Sequence, residues 1–411
     1  MRTRKPRMRR LASLLALLSF ATGERAARAE PGDELTVSAL TFGPGDHPFF
    51  KFGHNALLVK PKQGKGWVYN FGTFAFDSPA LIPKFLRGNF YYWLSVSTFE
   101  ETVASYAAAN RSILAQDLEL TAAQKSALWQ ALRVNARPEN REYLYDYFYD
   151  NCSTRVRDAV DRAVGGRVRQ AGQGAAALTF RGHALRMVAD LWPEYVGLYL
   201  GLGRGADVPI TRWEEAFLPD RLADLLRAAR VPADSGEKPL VKSEAVLHRA
   251  VRPEKPAVPP DWSVYFLLLG VAFGGSMLLL GRLARRSAAA RVVLGTATSA
   301  TGASFGFLGL VMVCLWAFTN HRAAFANANI LQLGPWAVVL FGYGIGVALG
   351  WPRATRRACA IALSLAVFAA AGMVCKLLPG MNQDNWPIIA FCLPAWLGLW
   401  RGLFPLARSA K

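Results

Sequence analysis

The sequence predicts an α+β exported domain with a small antiparallel sheet, followed by an all-α membrane domain of about five transmembrane helices. First, a basic and then apolar N-terminus ends in a small-x-small pattern, which is the form of a secretory signal. Second, a Pro-rich stretch at 251–261 precedes five long apolar segments. Third, the region before that stretch shows strand patterns and helix signals, among them a capping box at Thr121 that opens a helix over 121–135. Further helices are expected between 179 and 230.

The expected domain boundaries follow the chain in order. Residues 1–29 form a signal peptide, with an uncleaved anchor as the alternative, since the apolar run is short for a membrane span. Residues 30–250 form the exported domain and 251–261 a linker. A membrane domain at 262–405 and a cytoplasmic tail at 406–411 follow. Each apolar segment is about long enough to cross a ~30 Å hydrocarbon core at about 1.5 Å per residue. We place the spans at 263–281, 292–318, 333–351, 358–378 and 387–403.

The positive charge of the chain indicates topology. The formal net charge is +19 over 411 residues. Most of the excess lies in the N-terminal segment, in the loops after the first and third spans, and in the tail. The positive-inside rule assigns these parts to the cytoplasm, which places 30–250 and the remaining loops on the opposite side. Because topology accounts for the charge, the charge gives no support for a nucleic-acid partner.

The segment YFYDNCSTR contains Cys152, the one cysteine of the expected exported domain among five in the chain. Without a disulfide partner in that domain, the thiol is either buried as a small apolar group or used chemically. Asn151 is a good helix N-cap, which places Cys152 in the first turn of a helix. Backbone N–H groups and the helix dipole there favour a thiolate and can stabilise an oxyanion. The placement therefore suits a nucleophile.

A thiol nucleophile requires a base, and His54 in the strand pattern FGHNALLV is the candidate. The alternative for His54 is a satisfied histidine on a half-buried strand. The next strand, WVYNFGTFAF, offers Asn70 first and Thr73 second as the residue that orients the imidazole. The strand register leaves that choice open. Three other histidines are expected to have no catalytic part: His47 in a turn, and His183 and His248 in exposed, helical surroundings.

With these residues identified, the chain resembles the circularly permuted, papain-like thiol enzymes, the group that includes lecithin retinol acyltransferase. FGHNALLV and NCSTR carry that resemblance. It is more closely similar to the Lnb-type bacterial lipoprotein N-acyltransferases, which join an exported thiol domain to a C-terminal membrane domain. NRSILAQDLELT, ITRWEEAFLPDRL and TNHRAAFANANIL extend this similarity along the chain. The resemblance implies Cys152 as nucleophile and His54 as base. It also implies a multi-pass protein of the bacterial inner membrane with a periplasmic N-terminal domain.

The activity that this resemblance implies is ping-pong acyl transfer. A fatty acyl chain would move from a membrane phospholipid, through a Cys152 thioester, to the N-terminal amine of a lipoprotein. The expected partners are thus phospholipid and lipoprotein substrates. No metal-ligand spacing and no Gly-rich phosphate loop is evident, so no cofactor and no metal are expected. Two alternatives stay open: an NlpC-like cysteine peptidase or amidase acting on cell-envelope peptides, and a non-enzymatic membrane-tethered module.

Four polar residues are candidates for binding the substrate. Arg155, three residues after Cys152, could hold a phosphate or a carboxylate, with a salt bridge to an acid such as Asp158 as the alternative. Asn151 adjoins the thiol. His321 and Asn329 lie in a loop on the exported side, where polar residues gather. That loop is either a docking surface for a headgroup or lipoprotein, or an ordinary interfacial loop.

Overall fold

The computed structural model describes residues 32–74 and 87–409. The expected signal peptide and the last two residues of the tail lie outside the described residues. The predicted fold class is confirmed: an antiparallel sheet with packed helices is followed by five helices long and apolar enough to cross a membrane.

A seven-stranded antiparallel sheet forms the centre of the exported domain, so the sheet is larger than the sequence indicated. Its spatial order is β6-β4-β3-β2-β1-β5-β9, and β7 pairs with β8 in a separate hairpin. The strands are β1 (Leu35–Phe42), β2 (His54–Pro61), β3 (Trp67–Thr73), β4 (Tyr91–Thr98), β5 (Ile113–Leu118), β6 (Glu142–Leu144), β7 (Arg230–Ala233), β8 (Gly236–Pro239) and β9 (Val241–His248).

Side chains alternate between the two faces of the sheet, so each strand contributes to two cores. On β1, Val37 and Ala39 enter the larger core on one face, whereas Leu40 and Phe42 enter the smaller core on the other. Helix α3 covers the first face, and its residues Val156 and Val160 are fully buried there. Helix α1 covers the second face. The helices of the exported domain are α1 (Phe99–Ala108), α2 (Ala122–Asn135), α3 (Cys152–Ala163), α4 (Arg167–Ala171), α5 (Phe180–Met187), α6 (Trp192–Gly201), α7 (Arg212–Glu215) and α8 (Pro219–Ala228).

Two of the predicted helical signals are confirmed by the caps. Thr121 accepts a hydrogen bond from the Gln124 N–H at 3.2 Å, and the Gln124 side chain accepts one from the Thr121 N–H at 2.9 Å. This capping box opens α2, as the sequence indicates. Asn151 is the N-cap of α3, and Cys152 is the first helical residue.

Two histidine predictions are wrong. His183 lies on a helix as expected, but it is buried rather than exposed. Its Nε2 is 2.9 Å from Glu215 Oε1, and Arg186 Nε donates to its Nδ1 at 3.1 Å, so protein partners replace water around it. His248 lies on β9 and not in a helix, because residues 241–248 pair with β5 across a long sequence separation. A pattern of local residues does not reveal such a pairing.

The five candidate spans pack closely, with small residues at the contacts. A Cβ on Gly398 would lie 2.2 Å from the Gly274 Cα, so no larger residue fits that crossing unless the helices shift. The third span is not the continuous helix that 333–351 predicted. It combines two 3₁₀ turns, the second of which begins at Pro335, with a nine-residue helix. The spans cover Ser263–Leu283 (α9), Ala288–Phe318 (α10), Ala328–Ala348 (which contains α11, Leu340–Ala348), Pro352–Cys375 (α12) and Trp386–Arg408 (in α13, Trp386–Ser409).

Amide side chains from two loops of the membrane region fasten the exported domain in place. The last carbonyls of a helix have no partner within it. At the C-terminus of α6, Asn329 Nδ2 donates to the Tyr199 carbonyl at 2.9 Å, and Asn327 Nδ2 donates to the Leu200 carbonyl at 2.6 Å. Gln383 Nε2 donates to the carbonyl of the next residue after α6, Leu202, at 3.2 Å. We call Asn327, Asn329 and Gln383, with the carbonyls that they cap, the amide seam.

Candidate thiol site

The start of α3 is fixed by a reciprocal cap around the cysteine. The Thr154 N–H donates to Asn151 Oδ1 at 2.9 Å, and the Asn151 N–H donates to Thr154 Oγ1 at 2.8 Å. Asn151 Nδ2 also donates to the carbonyls of Tyr147 at 3.0 Å and Phe217 at 2.9 Å. Both N–H bonds of the Asn151 amide are therefore used to position the helix that carries Cys152.

The thiol lies where two strands of the sheet separate. Pairing between β2 and β3 extends over only three residue pairs, from Val59 with Trp67 to Leu57 with Tyr69. Beyond them, the register of β3 against β4 shifts at a bulge. Gly72 in this bulge has φ +84°, and a Cβ there would lie 3.5 Å from the Cys152 Cβ. The separation of the strands thus leaves a gap that the cysteine enters.

Backbone groups at this gap surround the sulfur. Burial raises the pKa of the Cys152 thiol, whereas hydrogen bonds from the Asn55 backbone N–H and from Ser153 oppose the rise. Asn55 directly follows His54, so the sulfur lies beside the backbone of the candidate base. Since burial is the largest cause, the resting cysteine is a protonated thiol at neutral pH.

His54 enters the same region from the other face of the sheet. Its ring stacks on Phe42 at 5.7 Å and on Tyr106 at 6.1 Å between centroids. Burial and the charge of Arg111 lower the pKa of His54 to about 3, although a hydrogen bond with the Asn70 side chain opposes this shift. The imidazole is therefore neutral at neutral pH and can accept a proton.

Of the two residues considered for orienting the imidazole, Asn70 is the one that contacts it. Asn70 Nδ2 donates to Ser97 Oγ at 3.1 Å and to the Val68 carbonyl at 3.3 Å, which leaves its Oδ1 to accept from His54. The Thr73 hydroxyl instead lies 2.6 Å from Ser95 Oγ. The bulge between Asn70 and Thr73 separates the directions of these two side chains.

A cavity of about 830 Å³ connects Cys152 and His54 to the membrane region. We call its two parts the sheet end and the membrane end. Hydroxyl groups from β3, β4 and α1 line the sheet end: Thr73, Ser95, Ser97, Thr102 and Ser105. Apolar side chains from α6, α10 and the loop after α10 line the membrane end: Leu198, Leu202, Leu315, Ala323 and Ala324. The cavity is therefore open to a ligand with one polar and one apolar part.

Of the other residues predicted to bind substrate, some line the cavity and some do not. His321 lines the cavity and stacks on Tyr147 at 6.2 Å. Arg155 is not among the lining residues that the structure describes. Its guanidinium donates to both carboxylate oxygens of Asp150, at 2.6 and 2.8 Å, and not to Asp158. Asn329 belongs to the amide seam, fully buried away from the cavity.

Sequence reasoning missed Gly72 and Arg111. A glycine inside a strand pattern indicates a bulge or a close approach, so YNFGTF contained a usable indication of Gly72. Arg111 carried no such indication, because its environment is formed by residues distant in sequence. Within 32–74 and 87–409, no three His, Cys, Asp or Glu side chains cluster as a metal site.

Comparison with known proteins gives one match. No curated protein and no solved structure matches the chain. Residues 24–184, which include His54, Asn70 and Cys152, match the family model of the Lnb N-terminal periplasmic domain. The resemblance predicted from the sequence is thereby confirmed for residues 24–184: this part of the chain matches the Lnb N-terminal periplasmic domain, and five helices able to span a membrane follow it.

Proposed function

We propose that the protein is a cysteine acyltransferase that moves a fatty acyl chain from a membrane phospholipid to the N-terminal amine of a lipoprotein. One observation supports this most directly. The cavity that contains Cys152 extends along apolar side chains to Leu315, close to the end of the membrane-spanning helix α10. An acyl chain could therefore pass from the bilayer to the thiol without crossing water.

The first step is transfer of the acyl group to sulfur. His54 accepts the proton of the Cys152 thiol, and the thiolate attacks the ester carbonyl carbon of the phospholipid. The backbone N–H groups of Asn55, Cys152 and Ser153 bond to the sulfur and stabilise the thiolate, and we infer that they also stabilise the oxyanion as the charge passes to the carbonyl oxygen. The carbon–oxygen bond breaks, the leaving alkoxide takes the proton from His54, and a lysophospholipid departs. The acyl group remains on Cys152 as a thioester.

The second step transfers the acyl group to nitrogen. The N-terminal amine of the lipoprotein attacks the thioester carbonyl, and His54 accepts a proton from that amine. The carbon–sulfur bond breaks, the sulfur recovers a proton from His54, and an amide is released. This chemistry requires no cofactor. We further propose that the enzyme lies in the bacterial inner membrane, with 30–250 in the periplasm after export by 1–29.

The test is the covalent intermediate. Purified full-length protein in phospholipid vesicles, without an amine, should gain the mass of one fatty acyl group. Neutral hydroxylamine should remove it, and Cys152→Ser should not acquire a hydroxylamine-sensitive adduct. Addition of a diacylglyceryl lipopeptide should then discharge the acyl group onto its N-terminal amine.

The competing peptidase hypothesis predicts a different outcome in the same preparation. An NlpC-like enzyme would form no adduct from phospholipid and would cleave a cell-wall muropeptide. Cleavage without an adduct would therefore overturn acyl transfer. The absence of both the acyl adduct and muropeptide cleavage would favour the non-enzymatic module.

A further inference from the structure

Arg111 is a buried cation that forms no salt bridge with a carboxylate among the described residues. It lies between α1 and β5, and its side chain is 5% exposed. Nε donates to the Gly43 carbonyl at 2.8 Å, whereas Nη2 is buried without an acceptor. The guanidinium rests on the rings of Tyr106 at 4.6 Å and Phe50 at 5.2 Å. The Nη2 donors of the guanidinium are therefore unused among the described residues.

The acids in its surroundings are engaged elsewhere. Asp46 follows Gly45, which contacts the Arg111 side chain, but both Asp46 oxygens bind Arg252. Glu101, an acid that lines the cavity, accepts from the backbone and hydroxyl of Thr98 in a capping box. An unpaired buried charge is costly, and such groups concentrate where a ligand supplies the opposite charge.

Arg111 lies between α1 and β5 and contributes to the wall of the cavity that contains Cys152 and His54. Burial lowers the pKa of Arg111, and the charge of Arg111 in turn lowers the pKa of His54, so the guanidinium acts on the candidate base. Tyr106 lies under the guanidinium and also stacks on His54. Arg111 thus lies beside α1 at the sheet end of the cavity, away from the apolar membrane end.

We propose that Arg111 binds the phosphate of the donor phospholipid, an assignment that rests on the proposed acyl transfer. With the acyl chains in the membrane end and the ester at Cys152, the headgroup points toward the sheet end. The phosphate lies only a few bonds from the ester. A guanidinium matches phosphate in charge and in the geometry of its paired N–H groups. The diacylglyceryl acceptor carries no phosphate, so this contact would distinguish donor from acceptor.

The experiment compares two donors that differ only in phosphate. The rate of acyl-adduct formation is measured with phosphatidic acid and with diacylglycerol of the same chains, each carried in vesicles of a non-hydrolysable ether lipid. We expect the wild type to prefer the phospholipid. Arg111→Gln should lose this preference by about tenfold to a hundredfold, the range for a charged hydrogen bond of about 1.5–3 kcal/mol. Arg111→Lys, which keeps the charge, should lose less.

Arg155→Gln is the matched control, because it removes a partly buried cation near the thiol that does not line the cavity. Its ratio of phospholipid to diacylglycerol rates should equal that of the wild type. Equal losses on both donors in Arg111→Gln would overturn the inference and assign Arg111 to the thiol and imidazole. A wild type without preference would also overturn it, whether or not the variant folds. A wild type that forms no adduct with either donor would instead refute the proposed function.

Discussion

The sheet end and the membrane end of the cavity are built by different means. At the sheet end, hydroxyls bind one another: Thr73 Oγ1 lies 2.6 Å from Ser95 Oγ, and Ser97 Oγ lies 2.7 Å from Thr102 Oγ1. At the membrane end, the lining comes from helices and a loop and consists of leucine and alanine side chains. The catalytic candidates Cys152 and His54 line the same cavity as the residues of both ends.

This difference follows from the elements that form each end. A strand that leaves its ladder at a bulge exposes backbone and polar side chains, which then satisfy each other. Helices that enter a bilayer satisfy their backbone groups internally and present apolar side chains to their surroundings. A single ligand that fills both ends must therefore be amphipathic, which is a property of lipids and of lipidated peptides. The predictions below test each end separately.

The largest effect is expected from His54→Ala. Loss of a positioned general base lowers rates by about 10²–10⁴-fold, and the adduct rate from phospholipid should fall within that range. The matched control is His47→Ala, since His47 caps an exposed turn and does not line the cavity among the described residues. A His54→Ala protein that unfolds normally on heating and retains its full adduct rate would remove His54 from the mechanism.

At the membrane end, Gly201→Leu should discriminate between acyl chains. A Cβ on Gly201 meets no atom within 4 Å, and the residue lines the cavity, so leucine would occupy ligand space without a backbone clash. We expect the rate with a long-chain donor to fall by roughly tenfold, equivalent to about 1.4 kcal/mol, while a short-chain donor is spared. Gly205→Leu, also without neighbours within 4 Å but outside the lining, is the control. Equal losses on both donors would show that the chain does not occupy this end.

At the sheet end, Asn70 and Thr73 should differ. Asn70→Ala removes the hydrogen bond that orients His54, which is worth about 0.5–1.5 kcal/mol, or up to roughly tenfold in rate. Thr73→Val removes a hydroxyl that binds Ser95 and not the imidazole. Its adduct rate should remain within a few-fold of the wild type. The reverse ranking in a steady-state rate measurement would make Thr73 the orienting residue.

We expect the smallest effect of His54→Ala on the rate at which the Cys152 thiol is alkylated in the absence of substrate. The raised pKa of Cys152 means that the thiolate fraction, and with it the rate of alkylation by iodoacetamide, should rise steadily from pH 5 to 9. Because His54, with a pKa of about 3, is uncharged over that interval, His54→Ala should change this profile little. The four cysteines in or near the spans require a Cys152→Ser background correction. An acidic plateau that His54→Ala abolishes would instead indicate a resting thiolate–imidazolium pair.

Local patterns were sufficient to predict the elements that carry the candidate nucleophile and base, because caps and strand alternation depend on neighbouring residues. Asn151 and Cys152 open a helix, and His54 opens a strand, as the sequence predicts. The membrane spans were likewise evident from length and apolar composition, apart from the break at Pro335.

Partners distant in sequence were not accessible to such patterns. Asn329 was predicted to bind substrate, but an amide side chain has the same chemistry whether it meets a ligand or a helix carbonyl, and here it caps α6. Arg155 stood out because it adjoins Cys152, yet Asp150 neutralises it. No local pattern marks Arg111, although it is buried in the cavity wall and its Nη2 has no acceptor among the described residues. Only tertiary structure distinguishes these two arginines.

The amide seam has a consequence for how a lipid would reach the thiol. By joining the end of α6 to Asn327, Asn329 and Gln383, it ties the domain that carries Cys152 to the membrane region. A catalytic domain on a flexible linker would move toward its substrate in the bilayer. A thiol domain that is held in place instead requires the lipid to move toward it. The frequency with which individual lipids leave their leaflet would then limit the reaction rate. Under the proposed chemistry, leaflet thickness and lipid packing would then govern turnover as directly as any side chain in the site.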